Sequence, residues 1–213
     1  IGSDATQYLQ GTRTWLFPLL LAAAFKVGGT SLGTAAFVVK MGLVGCILLT
    51  YLIGRRVHGW LAGLLAATMA TSTEYIILFA NDAKLDALQS AFMLASLYLL
   101  LQAMENKRGV LLSILAGLSL GVAFWVKEIA VLWLPLPVLA LLLSKPTNRP
   151  AYALVLGQVL AFEASAVFAV LSWLTFYYLQ TGEIWLVGAS VGDGTVFSAA
   201  VGVVLLAVLG LVG

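Results

Sequence analysis

Charged residues are scarce in this sequence, and their scarcity excludes an ordinary soluble domain. Of the 213 residues, 62% are hydrophobic and only 9% are charged, with a mean hydropathy of +1.06. Soluble domains carry about 25% charged residues, so the chain is predicted to lie in a membrane. Ionisable groups are costly in a bilayer, and the position of each one therefore carries information.

Cysteine and histidine each occur once. Cys46 has no second cysteine to pair with, so an intramolecular disulfide is excluded, and its apolar surroundings favour a small buried core residue. His58 alone cannot build a site that needs several imidazoles. The sequence also lacks a glycine-rich phosphate-binding loop and a Ser–His or Cys–His nucleophile pair. Its basic residues form no stripe of the kind that binds nucleic acid, so no nucleic-acid partner is expected.

Eight apolar runs divide the sequence, and the absence of period-two alternation makes helices the predicted spanning elements. The first run is too short for an ordinary span and is expected to be re-entrant or interfacial. We predict an all-α integral membrane protein, a polytopic helix bundle that forms a single domain over 1–213. The runs cover 15–27, 34–53, 60–79, 87–104, 110–126, 129–143, 151–179 and 185–212, the last with a candidate break at Gly192 and Gly194.

The charges separate by loop, and this separation predicts the topology. One set of loops holds six basic residues against the single acid Glu105, and the positive-inside rule places it in the cytoplasm. The other set holds six acids against Lys84 and Lys127 and is predicted to be exoplasmic. We expect a multi-pass protein of the bacterial inner membrane. The basic residues are Arg55, Arg56, Lys107, Arg108, Lys145 and Arg149; the acids are Glu74, Asp82, Asp86, Glu128, Glu183 and Asp193.

Asp82, Lys84 and Asp86 gather where the run at 87–104 begins. In one interpretation Asp82 caps a helix that starts near residue 84, and Asp86 complements the positive end of that helix. In the other they form a site, because two acids and a base exceed what capping needs. If 82–86 is helical, the two acids share a face and Lys84 points away.

Lys127 and Glu128 are predicted to form an exoplasmic turn. About 37 residues separate Arg108 from Lys145, and the chain must cross out and back within them. Each helix therefore has about 17 residues, which places the turn slightly below the membrane surface. Lys127 either snorkels beside its acidic neighbour or is a cation for an anionic ligand at membrane depth.

Asp4 and Arg13 precede the short run at 15–27. An acid in a polar loop is ordinarily solvated or a cap, and Arg13 is its companion cation. Both lie outside the cell if the short run does not cross the membrane, and Asp4 lies in the cytoplasm if it does.

Taken in order, the segments resemble the GT-C-fold glycosyltransferases that use polyprenyl-phosphate sugars. The closest branch contains the protein O-mannosyltransferases and the lipid A aminoarabinose transferases. The resemblance covers about 1–145. Its motifs are Asp4 with Tyr8, TWLFPLLLAAAFKVGG, a helix ending in GRRVHGW, a helix into FANDAKLDAL, and LLSILAGLSLGVAFWVKEIAVLWLPLPVLALLL.

The resemblance implies a transmembrane bundle with juxtamembrane helices in the first exoplasmic loop. It also implies transfer of a sugar from a lipid-phosphate donor to a hydroxyl acceptor at the outer face. By position, Asp4 matches the catalytic acid of the first loop, and Asp82 or Asp86 matches the second exoplasmic acid. Lys127 matches the lysine after the Gly-rich helix, and further candidates for binding the donor phosphate are Lys84 and Arg13.

The chemistry of such a transfer needs few groups. A lipid phosphate is a competent leaving group, so one Asp base for the acceptor hydroxyl and a cation for the phosphate suffice, and direct displacement inverts the anomeric centre. No cofactor is assigned. An Asp pair would hold Mg²⁺ or Mn²⁺ through its oxygens, but no Asp-x-Asp occurs, and metal dependence stays open.

Departures from the family pattern keep a second function open. Thr-Arg-Thr-Trp-Leu-Phe-Pro replaces a common His-Pro-Pro, and the acidic pair of the first loop is reduced to Asp4 after Ser3. The alternative is a non-catalytic subunit that acts as a scaffold in a larger membrane complex. A transporter is disfavoured because repeats and mid-helix charges are lacking. Both ends of the sequence look cut, so we expect a fragment of a longer protein with an upstream helix and a further C-terminal part.

Overall fold

Helices make up nearly all of the chain that the structure describes. A computed structural model describes 16–72, 85–106, 108–139, 149–181, 185–186 and 189–190. The α-helices are α1 (Leu16–Gly28), α2 (Leu32–His58), α3 (Trp60–Ser72), α4 (Asp86–Glu105), α5 (Gly109–Val126) and α6 (Arg149–Thr181). A 3-10 helix covers Glu128–Trp133. The predicted all-α membrane fold is confirmed.

Four of these helices contain segments long and apolar enough to cross a membrane. The segments are Leu32–His58, Asp86–Glu105, Gly109–Val126 and Ala153–Phe176. Helix α1 has 13 residues and is therefore about 20 Å long, well short of a bilayer core of about 30 Å. The prediction that the run at 15–27 is shorter than a span agrees with this length.

Helices α2 and α4 run in the same direction, and α5 runs antiparallel to α4. Gly42 of α2 lies against the backbone of Ala87 and Leu88 at the start of α4, while Arg56 reaches Glu105 at its end. Helices α4 and α5 are linked by Ser119 Oγ, which donates to the Phe92 carbonyl at 2.9 Å. This arrangement puts the start of α4 beside the end of α5.

Glycines allow the helices to approach closely. A Cβ on Gly63 of α3 would come within 2.6 Å of the Tyr51 carbonyl oxygen of α2. On α5, a Cβ at Gly117 would overlap the Phe162 carbonyl of α6, and one at Gly121 would overlap the Ala169 side chain. Gly117 and Gly121 have the small-xxx-small spacing through which membrane helices pack closely.

The chain divides into two compact units, Ile1–Val170 and Leu171–Gly213. In the first, a core cluster forms where α1 meets α2 and the start of α4, from Phe17, Val39, Leu43 and Ala87. In the second, the described residues are the last part of α6 and two short strands, β1 (Trp185–Leu186) and β2 (Ala189–Ser190). The strands pair antiparallel, with Trp185 opposite Ser190.

Two predicted runs differ from the structure. The run at 129–143 begins as a 3-10 helix and is described only as far as Leu139. Pro135 and Pro137 account for the interruption of a regular helix here, because neither has a backbone N–H to donate to the carbonyls of Val131 and Trp133. Within the run at 185–212, the described residues are the two strands rather than a helix.

Candidate functional site

Contacts with α2 fix the position of the first turn of α4. Ala87, next to Asp86, is buried in the cluster with Phe17, and its carbonyl accepts a hydrogen bond from Cys46 Sγ at 3.3 Å. A Cβ on Gly42 would lie 3.0 Å from the Leu88 nitrogen. The position of Asp86 therefore depends on a close approach of α2, at which a Cβ on residue 42 would crowd the backbone of α4.

Lys127 lies at the break between α5 and the 3-10 helix. Its backbone is extended, with φ −158° and ψ 129°, and its N–H still donates to the Ala123 carbonyl at 2.9 Å. Its own carbonyl accepts the side-chain amide of Gln89, from α4, at 3.1 Å. The break predicted at Lys127–Glu128 is thus present, and a neighbouring helix holds it.

Asp86 and Lys127 form an ion pair. The Lys127 Nζ and the Asp86 Oδ1 are 2.5 Å apart, and the side chains are 43% and 39% exposed. An ammonium has three N–H donors, so this pair leaves donors for a further anion. Because Asp86 lies in the first turn of α4, its charge also complements the positive end of that helix.

A second ion pair marks the opposite end of these helices. Arg56 Nη2 and Glu105 Oε2 are 2.7 Å apart, joining the end of α2 to the end of α4. Arg55 and Arg108 are exposed at this same end. Residues of the two predicted loop sets therefore separate to opposite ends, here named the Lys127 end (Asp86, Lys127) and the Arg56 end (Arg56, Glu105, Arg108).

Four predicted site residues, Asp4, Arg13, Asp82 and Lys84, lie outside the described residues. Of the six candidates, the structure describes Asp86 and Lys127 and brings them together. The interpretation of Asp82 as the N-cap of a helix that begins near residue 84 falls outside the described residues. The described part of α4 begins at Asp86, with Leu85 at the cap position.

Two further residues were missed in the sequence. Gln89 is 4% exposed; its signal is an amide three residues after Asp86, on the same helix face. Glu163 lies inside the apolar segment Ala153–Phe176, so the sequence was wrongly taken to lack mid-helix charge. Within the described parts of the chain, Glu163 Oε1 is buried and has no hydrogen-bond partner.

Metal ligands do not cluster in the part of the chain that the structure describes. No group of three or more His, Cys, Asp or Glu side chains comes together among these residues. The chemistry that the described site offers is that of one cation beside one carboxylate, at the break that follows α5.

Comparison with known proteins assigns the family. The model of the dolichyl-phosphate-mannose-protein mannosyltransferase family matches residues 12–173, more than half of the chain. No curated protein and no solved structure matches the chain. The matched region contains Asp86, Lys127 and the four apolar spanning segments apart from the last residues of α6. The chain therefore belongs to the dolichyl-phosphate-mannose-protein mannosyltransferase family, whose members are GT-C-type membrane glycosyltransferases that take a lipid-linked sugar donor.

Proposed function

We propose that this protein transfers a sugar from a polyprenyl-phosphate donor to a hydroxyl acceptor on the exoplasmic side of the membrane. The observation that carries the proposal is the half-exposed ion pair of Lys127 and Asp86, 2.5 Å apart at one end of the helix bundle. In this proposal the chain belongs with the protein O-mannosyltransferases and aminoarabinose transferases and works in the bacterial inner membrane.

The donor phosphate is proposed to bind at Lys127. Because the extended backbone at Lys127 ends α5, the ammonium lies at a helix end, where a lipid headgroup can reach it. The leaving phosphate gains negative charge as the bond to the sugar breaks, and a placed ammonium stabilises that charge. Lys84 and Arg13 are proposed as further cations for the same phosphate.

The base is proposed to be Asp4. An acceptor hydroxyl must lose its proton as it attacks the sugar, and a carboxylate within hydrogen-bond reach takes it, which contributes roughly 10²–10⁴-fold to the rate. Asp82 or Asp86 is the second acid of the site. Direct displacement by the acceptor oxygen inverts the anomeric centre, and no covalent intermediate with the protein is needed.

The exoplasmic side is supported by the separation of charge along the bundle. Arg55, Arg56 and Arg108 lie at the Arg56 end, and basic residues favour the cytoplasmic side of a membrane. The Lys127 end then faces the exterior, where a polyprenyl-phosphate sugar that has been flipped across the membrane presents its headgroup.

A scaffold is the second candidate function, and one observation favours it. In the structure the Lys127 ammonium is already neutralised by Asp86, as it would be if the pair only joined α4 to α5. In this case the chain would be a glycosyltransferase-like subunit of a larger membrane complex. The two functions differ in whether the pair yields to a phosphate.

Sugar transfer by the full-length protein in proteoliposomes tests the proposal. Synthetic polyprenyl-phosphate sugars serve as donors, with and without a chelator to test for Mg²⁺ or Mn²⁺. The proposal expects transfer by the wild type and a loss of roughly 10²–10⁴-fold in Asp4→Asn. A wild type that binds none of the donors and transfers none of the sugars would support the scaffold.

A further inference from the structure

We propose that Gln89 is a positioning residue that fixes the main chain of Lys127. The Lys127 ammonium can then exchange Asp86 for the donor phosphate while the Lys127 backbone stays in place. This inference rests on the proposed function, because it concerns how the same lysine is held in position to bind the donor phosphate.

One face of α4 holds Lys127 at two points. Asp86 binds its ammonium, and Gln89, one turn further along, binds its carbonyl at 3.1 Å. The two residues are three apart, so they project from the same side of the helix. The side chain of Lys127 and its backbone are therefore restrained separately.

The burial of Gln89 makes its restraint the more durable of the two. Gln89 is 4% exposed, whereas Asp86 is 39% exposed. A buried amide that loses its partner pays a desolvation cost, so the Gln89 bond tends to persist. A half-exposed ion pair contributes little free energy and can be replaced by another charged partner.

The backbone of Lys127 needs this support because Lys127 is not part of either flanking helix. It lies between α5 and the 3-10 helix in an extended conformation. Its carbonyl also accepts the Ala130 N–H at a longer 3.3 Å. Without Gln89, the carbonyl would keep only that bond, and the direction of the lysine side chain would be less well fixed.

The chain supplies a matched control in Gln158. Gln158 is also 4% exposed, and its amide also donates to a main-chain carbonyl at 3.1 Å, that of Ala103. Ala103 lies near the Arg56 end of α4. Substituting Met at either position removes an equivalent buried bond, but only Gln89→Met removes one at Lys127.

The test is binding of a fluorescent short-chain polyprenyl monophosphate to the full-length protein in detergent, with the matching polyprenol as the phosphate-free probe. We expect Gln89→Met to weaken binding of the phosphate about tenfold and to leave polyprenol binding unchanged. Gln158→Met should lose similar thermal stability and bind the phosphate as the wild type does. If Gln89→Met does not fold, Gln89→Asn serves, because it draws the amide back by about 1.5 Å and beyond hydrogen-bond reach.

Each alternative outcome has a defined meaning. Equal phosphate binding by the wild type and the Gln89 variant would overturn the positioning role and leave the proposed function standing. Equal weakening in the Gln89 and Gln158 variants would also overturn it, since the effect would then follow stability alone. A wild type that does not distinguish the phosphate from polyprenol would overturn the proposed function itself, and this inference with it.

Discussion

Lys127 and Asp86 are 41 residues apart in the chain, and their side chains meet at 2.5 Å. The contact results from the antiparallel course of α4 and α5, which brings the first residue of one beside the residue that follows the other. It joins an acid and a base that were separate candidates in the sequence.

Asp86→Asn is expected to tighten binding of polyprenyl phosphate by about two- to fivefold. The carboxylate competes with the phosphate for the Lys127 ammonium, and a half-exposed pair is worth up to about 1 kcal/mol. Titration of the full-length variant with the lipid phosphate measures the change. Glu105→Gln breaks the other ion pair, at the Arg56 end, and is expected to leave binding unchanged; weaker binding in Asp86→Asn would contradict the competition.

Gly42→Ala is expected to lower stability by about 1–3 kcal/mol, the usual cost of overpacking. The new Cβ would lie 3.0 Å from the Leu88 nitrogen and 3.1 Å from the Ala87 carbonyl carbon, and backbone atoms cannot turn aside. Thermal unfolding in detergent measures the loss. Gly45→Ala is the control, because its Cβ would meet only the Ala91 side chain, at 3.4 Å. Equal stability of the two variants would show that α2 does not pack closely against the start of α4.

Much of the architecture follows from the sequence because the bilayer imposes simple rules. The lengths of the apolar runs and the turn expected at Lys127–Glu128 predicted the course of α2, α4 and α5. The 3-10 helix was not predicted, since an apolar run does not show how Pro135 and Pro137 affect backbone hydrogen bonds. The Gln89 hydrogen bond was not predictable either, because it depends on how far α4 and α5 are displaced relative to each other along their axes.

Glu163→Gln is expected to raise stability by about 1 kcal/mol. An ionisable side chain inside an apolar spanning segment is costly, and the amide removes the charge while it keeps the shape. Thermal unfolding of the full-length protein in detergent measures the gain. A lower unfolding temperature in Glu163→Gln would show instead that the carboxylate makes a favourable contact that an amide cannot make.

The orientation of the bundle is tested with single cysteines in a Cys46→Ala background. Ile129, which is 49% exposed, follows Lys127 closely, and Arg108 is exposed at the Arg56 end. In intact cells we expect an impermeant thiol reagent to label Ile129→Cys, and to label Arg108→Cys only after permeabilisation. Labelling of Arg108→Cys from the outside would reverse the proposed sidedness.

Lys127 is proposed to bind the donor phosphate during transfer, and the kcat/KM for the donor is the measurement most sensitive to this role. With the full-length protein, Lys127→Ala should lower kcat/KM by about 10²–10³-fold, the usual loss when a group that stabilises developing charge is removed. Lys127→Arg should restore it only in part, because a planar fork replaces a point charge. Lys40→Ala, which removes an exposed lysine of α2, should transfer as the wild type does. Transfer by Lys127→Ala with the wild-type kcat/KM would show that Lys127 does not bind the donor phosphate during transfer.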